Sequence, residues 1–158
     1  MSEYWKKIEK INLEDTNTCI NFLKSKGYIL SPWIENIFSK KNYFYKEFVY
    51  PIKLHKVKVS DLNINEPIEL ESLYKLLDNK NYELVHPAIA LYSRLIYDEQ
   101  KTGEWLRFAT HFDSMIDDDK VPHLPKLGKA LGKYFIETYW SYRKAVFHPH
   151  NDFIVKEK

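Results

Sequence analysis

The chain has 158 residues, 44% of them hydrophobic and 29% charged, with a formal charge of +2 at pH 7 and one cysteine, Cys19. That length supports a core without metal or disulfide staples, and that composition excludes a disordered chain. A lone cysteine excludes an intrachain disulfide, and so small a net charge does not by itself imply a polyanionic partner.

Aromatic residues reach 16%, with twelve Tyr, nine Phe and four Trp. Arg94, Arg107 and Arg143 are the only arginines, so the positive charge is nearly all lysine; dedicated phosphate readers lean on the arginine fork instead. The opening stretch MSEYWKKIEK has no apolar signal core, and no run approaches the roughly 18 apolar residues of a membrane span. The expected location is the cytoplasm, with no membrane partner.

In chain order, residues 1–13 set Trp5, Ile8 and Leu13 among Lys and Glu, a short leading helix or an extended arm. A better-marked helix follows, with Asp15 or Thr16 as N-cap, Cys19, Ile20, Phe22 and Leu23 as its apolar face, and Gly27 as its stop. Ser31-Pro32-Trp33-Ile34-Glu35 starts another, with a Ser cap, Pro at the first helical position and acid in the first turn. It shows Trp33, Ile34, Ile37 and Phe38 and stops near Lys40-Lys41. From Asn42 to Val59 the texture turns aromatic and β-prone, which predicts one or two short strands over residues 43–59.

Asn65-Glu66-Pro67 opens a helix with Leu70, Leu73, Tyr74 and Leu77 at helical spacing, and His86-Pro87 opens the next with Ile89, Leu91, Leu95 and Ile96. Glu104 to Ile116 repeats the pattern with Trp105, Phe108, Ala109, Phe112 and Ile116 on one face. The stiff connector Val121 to Pro125 then leads into the longest helix-compatible run, Leu124 to Phe147. At about 100° per residue, its apolar residues from Leu127 to Val146 share a broad face opposite Lys126, Lys129, Lys133 and Lys144. Ile136, Trp140 and Phe147 fall on the lysine sector, making the second half apolar nearly all round. His148-Pro149-His150 ends the run, and residues 150–158 follow as a strand, an arm or a loose tail. The predicted fold is therefore mainly α: one domain over residues 1–158, a helical bundle of five or six helices with a small β element near residues 43–59.

No G-x-S-x-G, P-loop, G-x-G-x-x-G or H-E-x-x-H pattern occurs, so neither a catalytic residue nor a cofactor is expected. Protein binding is the leading expectation, because Trp140, Ile136, Phe147, Trp33 and Tyr45 are the residue types that dominate interface hot spots. The partner would be another protein or a second copy of this chain, and the role that of a stoichiometric inhibitor, an immunity-type antidote or an adaptor. One alternative is nucleic-acid binding through a helix-turn-helix-like segment over residues 15–41 and the Lys/Tyr-rich stretch 40–58, with Lys40, Lys41, Lys53, Lys56 and Lys58 on the phosphates. Another is a metal-dependent enzyme using His86, His111, His123, His148 and His150 near Asp113 and the Asp117-Asp118-Asp119 run. No ligand spacing among those histidines names a metal.

Overall fold

The structure, a computed structural model, describes residues 3–44 and 47–158. It is mixed α/β, with four helices and ten strands among the described residues. In chain order these are β1 (Glu3–Ile8), α1 (Thr16–Ser25), β2 (Ile29–Leu30), α2 (Pro32–Ser39), β3 (Ile52–Lys58), β4 (Ile68–Glu69), α3 (Leu70–Asn79), β5 (Tyr82–Glu83), α4 (Pro87–Ile96), β6 (Trp105–Phe108), β7 (His123–Ala130), β8 (Lys133–Trp140), β9 (Val146–Phe147) and β10 (Asp152–Glu157). The main sheet runs β1-β3-β10-β6-β7-β8-β2, with β5 also on β10, and β4 pairs β9 separately.

The expected helical bundle is overturned, chiefly by the run from Leu124 to Phe147. Instead of one helix it forms the antiparallel hairpin β7–β8, in register from His123↔Trp140 to Ala130↔Lys133. The two-residue turn places Leu131 at φ 52° and Gly132 at φ 73°, the paired positive values that match the twist of a hairpin. Tyr134, Phe135, Ile136, Thr138, Tyr139 and Trp140 are β-branched or aromatic residues that fit a pleated surface. Gly128 and Gly132 each weaken a helix interior by about 1 kcal/mol relative to Ala. Pro125 sits where the β6–β7 ladder stops, one residue beyond the Arg107↔Lys126 pair, because it has no N–H to give.

A further element departs from the helical expectation. Glu104 to Ile116 supplies the short strand β6 and then irregular chain, and of the two alternatives for the leading segment the extended one forms, as β1 antiparallel to β3. The tail is central: β10 pairs β3 antiparallel on one side and, on the other, β6 parallel and β5 antiparallel. The helices over residues 16–25, 32–39 and 87–96 stand where their caps predict, whereas the one expected to open at Asn65-Glu66-Pro67 begins only at Leu70, after β4 and without a side-chain cap. Within the 43–59 region, β3 is the strand that forms, from Ile52 to Lys58.

Strand alternation divides the core in two. On one face Leu54, Leu106, Phe108, Leu127, Ile136 and Ile154 pack against Cys19 and Leu23 of α1, Ile34, Ile37 and Phe38 of α2, and Ala88 to Leu91 of α4. On the other, Val57, Leu124, Phe153 and Val155 meet Leu70, Leu73, Tyr74 and Leu77 of α3 together with Phe147. Arg94, fully buried on α4, ties the hairpin to the first layer. Its Nη1 donates to Gln100 Oε1 at 2.7 Å and to the carbonyls of Gly128 and Phe135 at 3.2 Å, and its Nη2 donates to Tyr97 O at 2.7 Å. No helix among the described residues is long and apolar enough to cross a membrane.

Candidate functional site

A cleft of about 520 Å³ opens where α2 passes the far end of β8, walled by Trp33 and Pro32 on one side and Thr138, Tyr139 and Trp140 on the other. Its origin lies in the shortness of β2. That strand pairs β8 in parallel through Ile29↔Phe135 and Leu30↔Ile136, and Ser31 N–H still donates to Ile136 O at 3.1 Å. There the chain turns into a helix. Ser31 Oγ accepts from Ile34 N–H at 3.2 Å, Ser31 O accepts from Glu35 N–H at 3.2 Å, and Pro32 takes the first turn. The carbonyl that would continue the ladder is thereby taken up by the helix. Alternation turns the N–H and C=O of Thr138 and Trp140 to the same outer side as those of Ile136, and no strand among the described residues pairs with them there.

Both flanking tryptophans are exposed, Trp33 to 52% and Trp140 to 58%. Because α2 buries Ile34, Ile37 and Phe38, Trp33 is left on its outward side. Trp140 lies directly opposite His123 in the hairpin register, and the His123 ring is 6.2 Å from that of Trp33.

The cleft floor is held by a buried polar chain. Thr138 Oγ1 lies 2.9 Å from His123 Nδ1, and His123 Nε2 lies 2.8 Å from Asp117 Oδ2. The other carboxylate oxygen accepts from the backbone N–H of Asp119 at 2.8 Å and of Val121 at 3.0 Å. The hydrogen bond from His123, reinforced by those two N–H groups against the opposing effect of burial, holds the Asp117 carboxyl below its ordinary value. With every partner in place, the chain fixes the 117–122 loop to the hairpin. A second tie joins that loop to α2: Asp118 accepts from Lys40 Nζ and from Asn36 Nδ2, each at 2.6 Å. Those two donors, Lys40 first, also lower the Asp118 carboxyl. Beside Trp33, a smaller recess of about 210 Å³ is lined by Asn36 and Asp117 to Asp119.

The residues singled out in the sequence part company here. Trp33 and Trp140 share the cleft, whereas Ile136 and Phe147 are buried in the two separate core clusters. Tyr45 lies outside the described residues. The lysines are dispersed: Lys40 reaches Asp118, Lys41 lies over the Tyr43 ring, and Lys53, Lys56 and Lys58 pair with Glu157, Glu104 and Asp152. The 15–41 segment is not a bare helix-turn-helix, since β2 between its helices is part of the sheet and the apolar side of α2 is buried.

The histidines are equally scattered. His86 caps α4, its Nδ1 accepting from Ala88 N–H at 3.1 Å; His111 accepts from Asp113 N–H; His148 and His150 stack on each other near β10. Among the described residues no group of three or more His, Cys, Asp or Glu side chains is placed to hold a metal ion. Cys19 is buried, and burial pushes its thiol up to about 12, far from a ready nucleophile.

Sequence reasoning missed Thr138 and the His123–Asp117 pair. The signal lay in strand register, which becomes visible only once the hairpin is known. Compared with protein-family models, curated proteins and solved structures, the chain matches none. The inhibitor and immunity-type roles expected from composition therefore draw no support from relatives.

Proposed function

We propose that the protein binds an extended peptide segment of a partner protein by adding it as a strand to the open Glu137–Trp140 edge of β8, with an apolar side chain of that segment seated between Trp33 and Trp140. The carrying observation is the coincidence of an unpaired backbone edge with a cleft between two exposed tryptophans. Strand addition draws affinity from main-chain hydrogen bonds and selectivity from pockets for alternate side chains. Trp33 and Trp140 supply large contact area with few rotatable bonds. The Thr138–His123–Asp117 chain serves this role by keeping one wall of the cleft rigid.

The test is selection of binders from a displayed library of random peptides, followed by amide exchange on the complex. The reading requires that bound peptide slow exchange at the Thr138 and Trp140 amides, the two that face the open edge. Trp33→Ala should weaken the selected peptides roughly thirtyfold, equivalent to about 2 kcal/mol, while unfolding at the same temperature as the parent. Binders that leave both amides unprotected, or that ignore Trp33→Ala, would overturn strand addition at this edge.

A further inference from the structure

On the sheet face turned away from α1, α2 and α4, Arg107 of β6 and Lys126 of β7 stand directly opposite each other in the ladder. Both are half-buried, and neither makes a hydrogen bond or ion pair among the described residues. Arg107 Nε is shielded from solvent with no acceptor. Aromatic rings surround the pair instead: the Arg107 guanidinium is 5.8 Å from the Tyr139 ring and 6.0 Å from that of Phe147, and Lys126 Nζ is 4.9 Å from Trp105 and 5.8 Å from Tyr139.

Nearby acids do not close the account. Glu137 is opposite Lys126 on β8 but forms no ion pair with it and lines the cleft at the strand edge. Asp152 is paired with Lys58 at 3.1 Å. The ring faces attract these cations but accept no conventional hydrogen bond, so two like charges partly withdrawn from water still gain from an anion. Burial lowers both groups' affinity for their protons, and Arg107 lowers that of Lys126 further.

The same face carries stacking surface. Trp105 lies across Gly128, where a Cβ would overlap its indole, and its ring is 6.1 Å from that of Phe135 on β8. By alternation Lys133 projects from this face beside Phe135. Three cations against one carboxylate, interleaved with Trp105, Phe135 and Tyr139 across three strands, present charge and ring faces together. α3, the helix on this side, packs with Leu124, Phe147, Phe153 and Val155, and Trp105, Lys126 and Phe135 lie outside that cluster.

We infer that this face binds single-stranded nucleic acid, with Arg107 and Lys126 each holding a backbone phosphate and Trp105 with Phe135 offering a base its stacking platform. A strand laid on an open sheet gains from both terms at once, and base stacking tolerates any sequence. This site shares Glu137 and Tyr139 with the rim of the peptide cleft but does not depend on the peptide reading.

The experiment is titration of the whole protein with fluorescein-labelled dT12 over a series of salt concentrations, with the corresponding 12-base-pair duplex alongside. Two phosphate contacts on a single strand predict a slope of log K against log salt of about −1.4, falling to about −0.7 in Lys126→Gln. That variant should bind roughly tenfold more weakly at 50 mM salt, and Trp105→Leu should lose a similar factor through stacking. Glu137→Gln, which removes the one facing carboxylate, should tighten binding several-fold. Arg107→Gln should behave as Lys126→Gln; if it fails to fold, Lys126→Gln and Glu137→Gln decide the matter alone. No binding of dT12 at 50 mM salt overturns the inference. So does duplex binding as tight as single-strand binding, or binding unmoved by Lys126→Gln.

Discussion

Asp117 shows how one side chain can set a loop. Its two oxygens take three hydrogen bonds, from His123 and from the N–H groups of Asp119 and Val121. Its folded-state pKa lies below the ordinary value of 3.8, so its stabilisation is whole above that value and disappears as pH falls through the depressed folded pKa. Asp117→Asn should therefore cost about 2 kcal/mol near neutrality, as expected for hydrogen bonds to a charged group. In urea unfolding of the two proteins, the gap should narrow as the pH falls below 3.8; a gap that stays constant in acid would show that the charge is not responsible. Little of this was visible in the sequence, where Asp117-Asp118-Asp119 reads as an acidic run near several histidines with no spacing that pairs Asp117 with His123. The local caps were visible, because Ser31-Pro32 and His86-Pro87 state their roles within four residues.

At the scale of elements, what could be read was what is local. The helices α1, α2 and α4 follow from caps and 3.6-residue spacing in contiguous sequence, and α3 from spacing alone. The hairpin β7–β8 was hidden because its apolar residues satisfy a helical wheel as well as a strand, and its turn carries Leu131 where Asn or Asp would have announced it. Leu131 is 93% exposed and held at positive φ, a conformation costing a residue with a Cβ about 1–2 kcal/mol. Leu131→Asn should thus stabilise the protein by about 1 kcal/mol and raise Tm by roughly 2–4 °C, measurable by thermal unfolding. An unchanged or lowered Tm would mean the turn is not the strained point. The cleft was only partly legible: Trp33 was grouped with Ile34, Ile37 and Phe38, of which it alone is exposed, and Trp140 could be assigned a neighbour only through the hairpin register.

For the whole molecule, the element least legible was the most connected. The sequence of β10, DFIVKE, gives no sign of its three partners, which lie about 100, 75 and 45 residues earlier in the chain. Tertiary pairing at such separation leaves no local pattern to read. Deleting residues 152–158 should abolish cooperative unfolding, since β3 and β6 would each lose one of two ladder partners, leaving the sheet in two pieces, and Phe153, Ile154 and Val155 would leave the core; circular dichroism during heating is the check. A cooperative transition in the shortened chain would show that the two halves of the sheet can stand without it.

The position of β10 also governs the order in which the sheet can be assembled. The hairpin β7–β8 closes over two residues and can form within microseconds, whereas joining β10 to β3 closes a loop of nearly a hundred. Until it does, the β1–β3 pair and the β6–β7–β8–β2 group are separate fragments, each presenting a bare strand edge to other chains. Refolding yield should consequently fall as protein concentration rises, with the loss set during the interval before β10 is inserted.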